Sequence, residues 1–280
     1  MILSFHPNIV AHDNILCAGR LPNDEDRAAI RRAEAIIVSQ GCSEILYRMC
    51  RKYCPHVFPT YDVRFDFPGK LGQARLFKKM GAPFPLTYSF DDIASYDDRE
   101  GQKNALSFPC VFKFDWGGEG EEVFLLETEQ ALERVLERAR RMEQAGQKGF
   151  VLQEYISCGG RSLRVVIIGD QLFSYWRRQQ DASEFLTNLK AGGVIDHESD
   201  PDLQEAGKEA VRDFCSKTGI NLAGIDLIFP HDEKGATSFF LEINYFFGRR
   251  GLGGSLEYYD LLDKAVGLWL KNIGLGLGQK

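Results

Sequence analysis

Asp226, Glu242 and Asn244 are the residues whose types and spacing point most directly to chemistry. Glu242 and Asn244 lie two apart in an apolar run, so on a strand they share a face with Ser238 and Phe240, while Phe239, Leu241 and Ile243 share the other. Asp226 interrupts Ala223–Phe229, where Ile225, Leu227 and Phe229 face the opposite way. The polar, glycine-containing residues 230–237 between the two runs make them an antiparallel hairpin. A turn centred near Lys234 sets Asp226 across from Glu242, to within one residue. Like charges opposite each other on paired strands are destabilising. Two carboxylates and an amide converging in this way suit a hard cation such as Mg²⁺, which takes oxygen ligands. On the hairpin alone, a surface turn with two solvated acids is an equal alternative.

Two further constellations could hold anions. Lys113 sits in Val111-Phe112-Lys113-Phe114, where a lone ammonium is poorly solvated and a phosphate would satisfy it. Gly117-Gly118-Glu119-Gly120 follows and can close over phosphates with backbone N–H groups. The plainer reading is a hairpin turn beside a lysine that reaches to water. Arg249, Arg250 and Gly251, just before a helix start at Ser255, form an anion cradle for a substrate carboxylate or phosphate, with a solvated basic loop as the alternative. The chain contains no Walker-type phosphate loop. His6, His12, His56, His197 and His231 lie in unrelated contexts, and no protein nucleophile stands out.

The elements that must position these residues follow from periodicity and caps. Residues 1 to about 65 read as a short α/β segment, with strands at Ile2–Phe5, Ile15–Cys17 and Ala35–Val38. Asn23 and Ser43 cap helices near Asp24–Ala33 and Glu44–Lys52. After Pro68-Gly69, Lys70 opens a helix to Met80 that Gly81, Pro83 and Pro85 end. Residues 108–126 read as strand, glycine-rich turn and strand, and Thr128 caps a helix with apolar positions Leu132, Val135, Leu136, Ala139 and Met142. Phe150–Ile156 is a strand. Ser162–Ile168 and Gln171–Trp176 form a hairpin about Gly169-Asp170. From Arg177 to Gly193 the chain reads as a long loop, functional or mobile. Asp200 and Pro201 start a helix that Gly219 ends, and Ser255 caps the last helix. Strands and helices interleave with many hairpins, so the class is α+β (mixed α/β) with antiparallel sheet.

The 280 residues are 44% hydrophobic and 26% charged, with net charge −6 and no long basic run, which argues against general binding to nucleic acid. No apolar run approaches a membrane span, and the first residues lack a signal-peptide pattern. Seven scattered cysteines without a Cys-x-x-Cys fit reduced thiols and a cytoplasmic location. Cys42, Cys50, Cys54 and His56 cluster without zinc-site spacing and read as inert thiols.

Taken in order, Lys70 before a helix, Lys113 with its glycine loop, Gln153-Glu154-Tyr155-Ile156, Asp226 and Glu242-x-Asn244 make a succession that resembles the ATP-grasp superfamily. The resemblance is nearest to its glutamate-ligase and glutathione-synthetase-like branch and covers roughly Lys70 to the C-terminus. It implies two lobes whose antiparallel sheets enclose ATP. The division expected is a pre-domain over 1–67 and an ATP-grasp domain over 68–280, split into lobes of about 68–153 and 154–280. The implied reaction joins a carboxylate to an amine through an acylphosphate, the substrates being small molecules or a peptide terminus. The rival readings are a kinase that stops at phosphorylation and a nucleotide-binding module without catalysis. By resemblance, Lys70 and Lys113 contact ATP phosphates beneath Gly117, Gly118 and Gly120. Glu154 receives the adenine amino group, with Gln153, Tyr155 and Ile156 beside it. Asp226, Glu242 and Asn244 hold Mg²⁺, for which Mn²⁺ can substitute. Arg164 lies near the transferred group and Asn188 in a loop approaching nucleotide and substrate. Relatives are often dimers or tetramers. The chain departs from the pattern at Ser162, where an acid for the ribose is usual, at Leu186, where an arginine is often found, and at Tyr245–Gly251 in place of a Pro-Gly turn.

Overall fold

The computed structural model describes residues 1–17, 19–98, 106–117, 122–179, 193–230 and 237–276. Three sheets organise them. The first combines β1 (Ile2–Ser4), β2 (Asp13–Asn14), β3 (Ala35–Ile37) and β4 (Val57–Phe58), all parallel, in the order β2-β1-β3-β4. Helices α1 (Asp24–Arg32) and α2 (Glu44–Tyr53) connect these strands. Asn23 accepts from the Asp26 backbone N–H and Asp26 returns the bond, a complete capping box, and Ser43 accepts from the Leu46 N–H. Ile15–Cys17 is not a strand: the short β2 lies just before it. A strand this brief carries no alternation to reveal it, and the same holds for β4.

Helix α3 (Asp62–Asp66) leads into α4 (Gly69–Met80). The second sheet follows, β5 (Thr87–Phe90), helix α5 (Ile93–Asp97), β6 (Cys110–Phe114), β7 (Val123–Leu126), helix α6 (Glu129–Gln144) and β8 (Phe150–Glu154). It is antiparallel in the order β5-β8-β6-β7. Phe90, Phe112, Phe114, Phe150 and Leu152 pack on one face with Leu132, Leu136 and Ala139 of α6. Thr87, Lys113 and Gln153 alternate onto the other.

The third sheet holds β9 (Arg161–Ile168), β10 (Gln171–Arg178), β11 (Val194–Asp196), then after helix α7 (Pro201–Thr218) β12 (Leu222–Ile228) and β13 (Phe239–Asn244). Its order is β11-β10-β9-β12-β13, antiparallel throughout. A 3₁₀ turn at Arg250–Leu252 precedes α8 (Ser255–Asn272). One face of this sheet is mostly apolar: Leu163, Val165, Ile225, Leu227 and Ile243 meet Val211 and Phe214 of α7 and Leu76 and Phe77 of α4. The other face is divided. Val166, Ile168 and Leu222 pack with α8, whose far side packs on Ile2, Ile37 and Phe58 of the first sheet. The remainder carries Ser162, Arg164, Arg177, Asp226, Glu242 and Asn244.

Three expectations are corrected here. Asp226 does stand opposite Glu242, but a bulge between Asp226 and Leu227 shifts the register. Phe240 therefore joins Ile243 in the apolar core instead of sharing a face with Glu242 and Asn244. The hairpin strand extends beyond Trp176 through Arg178, so Arg177 is a strand residue paired with Ser162. The helix ends at 200 and 255 also differ: Asp200 makes no side-chain cap and instead receives Arg161, while Ser255 is the first helical residue, preceded by Gly254.

Edge strand β13 does not expose its backbone freely. Gln73 of α4 donates to the Ile243 carbonyl at 2.9 Å and accepts its N–H at 2.8 Å, and the Phe240 N–H reaches Pro83 O at 2.8 Å. Through these bonds α4 ties the second sheet to the third. Among the described residues no helix is long and apolar enough to cross a membrane.

Candidate functional site

Strand register alone places Arg164, Asp226 and Glu242 in one row across β9, β12 and β13. Asp226 is only 4% exposed. Its carboxylate accepts from Nε and Nη2 of Arg164, the latter at 2.8 Å, pairs with Arg177 Nη2 at 2.7 Å, and accepts from Asn244 Nδ2 at 3.0 Å. Burial alone would raise its pKa, but the two guanidiniums outweigh it and hold the carboxyl below the usual range. The charge that relieves the Asp226–Glu242 repulsion is thus, within the protein, a pair of arginines. Gly224 makes room for this: a Cβ there would sit 2.9 Å from Arg164 Nη1 and 2.9 Å from the Phe247 Cβ.

Arg177 joins this group without having been marked by the sequence pattern. The signal was the continued alternation Phe173, Tyr175, Arg177 on one face of β10, which treating residue 177 as loop obscured. Its Nη2 also donates to Ser162 Oγ at 3.1 Å, while its Nε is buried with no acceptor among the described residues. An unmet buried donor costs about 1–3 kcal/mol. Burial and the like charge of Arg164 lower its pKa despite Asp226.

From the second sheet, Lys113 donates to Gln153 Oε1 at 2.6 Å, and Gln153 Nε2 donates in turn to Thr87 Oγ1 at 2.8 Å. Burial pushes the Lys113 ammonium down to about 8 from 10.5. Glu242 and Asp226 oppose the shift and Lys70 adds to it, so these charges lie near enough to Lys113 to act on it. Lys70 stands in the first turn of α4, its Nζ donating to Gly117 O at 3.3 Å. That position depends on Asp115, also missed in the sequence, whose Oδ1 accepts the Leu71 N–H at 2.7 Å and caps α4 from outside.

Glu154 ends β8 exposed, its Oε2 accepting the Leu86 N–H at 3.3 Å, and Tyr155 and Ile156 continue half-buried. Gln153 is turned inward to Lys113 and Thr87. Arg249 lies over the rings of Tyr258 and Tyr259 at 4.5 and 4.6 Å and donates to Ser255 Oγ at 3.4 Å. Burial, with Arg249, lowers the His6 pKa to about 4. Arg250 is exposed, and Gly251 presses on Tyr175, where a Cβ would lie 2.2 Å from the ring. Tyr175 is paired with Arg164, so one aromatic ring separates the 249–251 turn from the Asp226 row. Gly118, Gly120 and Asn188 lie outside the described residues, as does Leu186.

The donor set fits a hard divalent cation. With Nδ2 engaged by Asp226, Asn244 keeps Oδ1, and no cation among the described residues pairs with Glu242 at ion-pair distance. All candidate donors are oxygens. Among the described residues no three His, Cys, Asp or Glu side chains cluster as a metal site. Glu242 and Asn244 Oδ1 match the sparse protein contribution typical of Mg²⁺ held together with substrate phosphates, whereas each Asp226 oxygen already accepts two N–H bonds from Arg164, Arg177 and Asn244.

The family model for a RimK-like ATP-grasp domain matches residues 82–254. A "Probable alpha-L-glutamate ligase" of Alkalilimnicola ehrlichii is 30% identical over 188 residues, 65% of this chain and 57% of that protein. Another, of Azotobacter vinelandii, is 30% identical over 233 residues, 81% of this chain and 72% of that protein. The chain thus spans between about half and three-quarters of these curated relatives. Among solved structures, a RimK domain ATP-grasp protein from Sphaerobacter thermophilus superposes with a TM-score of 0.58 at 13% identity, covering 94% of this chain and 98% of that one.

Proposed function

We propose that this chain, which belongs to the RimK-like ATP-grasp family of carboxylate–amine ligases, uses ATP and Mg²⁺ to join a small carboxylate to an amine. The reading is carried by one observation: Arg164, Asp226, Glu242 and Asn244 converge on one face of the third sheet, and the buried Lys113 of the second sheet lies near enough to Asp226 and Glu242 to feel their charge. The names of the relatives make L-glutamate the first substrate to test.

Lys70 and Lys113 hold the nucleotide phosphates, and Glu154, with the Tyr155 and Ile156 backbone, takes the adenine edge. Glu242 and Asn244, beside Asp226, hold Mg²⁺, which when bound neutralises charge on the phosphate oxygens. Phosphoryl transfer needs positioning and charge neutralisation more than covalent help from the protein. Arg164, rigid in its pairing with Asp226, steadies the phosphoryl group as the substrate carboxylate attacks it. The resulting acylphosphate is then opened by the amine, which forms the C–N bond and releases phosphate. Arg249, Arg250 and Gly251 orient a substrate carboxylate beside Tyr175.

The test incubates the chain with Mg-ATP and amino acids singly and in pairs, following ADP, phosphate and product mass. ADP formed together with a condensed product, only when acid and amine are both present, supports the ligase. A phosphorylated acid accumulating without amine would make the chain a kinase, and nucleotide binding without turnover in any mixture would make it a binding module.

A further inference from the structure

We infer that Arg177 is a second guanidinium for the phosphoryl group in transfer, acting beside Arg164. The inference rests on the reading of the cleft as an ATP site and goes beyond the roles given to Lys70, Lys113 and Arg164.

Three observations lead to it. Arg164 and Arg177 converge from adjacent antiparallel strands on the single carboxylate of Asp226. Arg177 has no acid opposite it on β9: its paired residue is Ser162, whose neutral hydroxyl accepts from Nη2 at 3.1 Å. Its Nε donor is buried yet meets no acceptor among the described residues. A guanidinium held this way has fixed direction, full charge and an unused donor.

The charges of the cleft say what that donor awaits. Lys70, Lys113, Arg164 and Arg177 exceed Asp226 and Glu242 by two, before any metal is bound. A bound divalent cation raises that surplus to four, which the single negative charge of a carboxylate does not meet and the phosphates of ATP, with about four, do. The guanidinium reaches the Asp226 carboxylate through Nη2 from a position two residues along β10 from the row that includes Arg164 and Glu242. An anionic oxygen that accepts from it beside Asp226 belongs to the group that Arg164 also attends. Burial then favours a charge-assisted bond over one to water.

Placing an acid at 162 is the informative change. Ser162→Asp would put a carboxylate opposite Arg177 at the position where Ser162 Oγ already meets Nη2, and would capture that guanidinium without removing it. Arg177→Gln removes the charge directly. Both variants and the wild-type chain are titrated by calorimetry with Mg-ADP and with the Mg complex of a non-hydrolysable ATP analogue. Arg177→Gln and Ser162→Asp are each expected to lower affinity for the analogue by about tenfold or more while changing ADP affinity by less than about threefold. A merely structural role would weaken both nucleotides alike. Should the ratio of the two affinities stay within about twofold of wild type in both variants, or should only the KM for the carboxylate substrate rise, the inference is overturned. Ser162→Asp keeps Arg177 and decides the matter if Arg177→Gln does not fold. A wild-type chain that binds neither nucleotide overturns the site reading itself, and the inference with it; normal wild-type binding with an unmoved ratio overturns the inference alone.

Discussion

Lys113 offers a quantitative test, because burial has moved its titration into an accessible range. In the free chain its pKa lies at about 8 instead of 10.5. About nine in ten molecules therefore carry the ammonium at pH 7 and about one in thirty at pH 9.5. If only the charged form grips the phosphates, apparent Mg-ATP affinity falls about 30-fold over that interval. Lys113→Met should bind poorly at pH 7 and lose little more as pH rises. Stability moves the opposite way. Between pH 8 and 10.5 the unfolded chain holds a proton that the folded one has released, so stability rises with pH by up to about 3 kcal/mol from this group. Below pH 8 both states are charged and the burial penalty is fully felt, which makes Lys113→Met the more stable protein at pH 7 by a similar amount. Fluorescence titrations with Mg-ATP and urea unfolding, each at several pH values on both proteins, read the two effects. Parallel pH profiles for wild type and Lys113→Met, in binding and in stability, would refute the placement of a desolvated ammonium against the phosphates.

Other perturbations probe the third sheet. Asp226→Asn leaves Arg164 and Arg177 buried without their carboxylate and is expected to cost about 3–5 kcal/mol in urea unfolding; a loss below about 1 kcal/mol would contradict the network. Glu242→Gln should abolish turnover and weaken Mg-ATP while stability stays within about 0.5 kcal/mol, and full activity in this variant would remove Glu242 from the metal site. Gly224→Ala drives a methyl group into Arg164 and Phe247, for an expected loss of about 1–3 kcal/mol and a lower kcat; wild-type behaviour would mean that Arg164 has room to move. Calorimetry with Mg²⁺ alone should show weak binding that tightens when nucleotide is present, since the protein supplies so few donors.

Much of this site was legible because it lies on strands, where alternation assigns faces. Asp226 opposite Glu242, Asn244 on the same side and Lys113 among aromatics all follow from period two. Residues escaped where a local rule was broken or where the partner was distant in sequence. The bulge after Asp226 sent Phe240 to the core, and nothing in the 239–244 run marks it. Arg177 looked like the start of a polar loop because strand β10 ends two residues after its last aromatic. Asp115, just past the end of β6, caps α4 from more than forty residues away, a contact that sequence spacing cannot express. Asp226 and Glu242 do stand opposed as like charges, yet the nearest compensating charges are guanidiniums from two other strands. The caps at Asn23, Ser43 and Thr128 were readable because they act within three residues.

The central claim is that a carboxylate is activated by phosphoryl transfer before an amine takes it. The most direct measurement uses a substrate acid labelled with ¹⁸O in its carboxylate, Mg-ATP and the amine that supports turnover, with mass analysis of the phosphate released. One ¹⁸O atom passing into each phosphate formed is the expected result. Product accumulating while the phosphate stays unlabelled would contradict it.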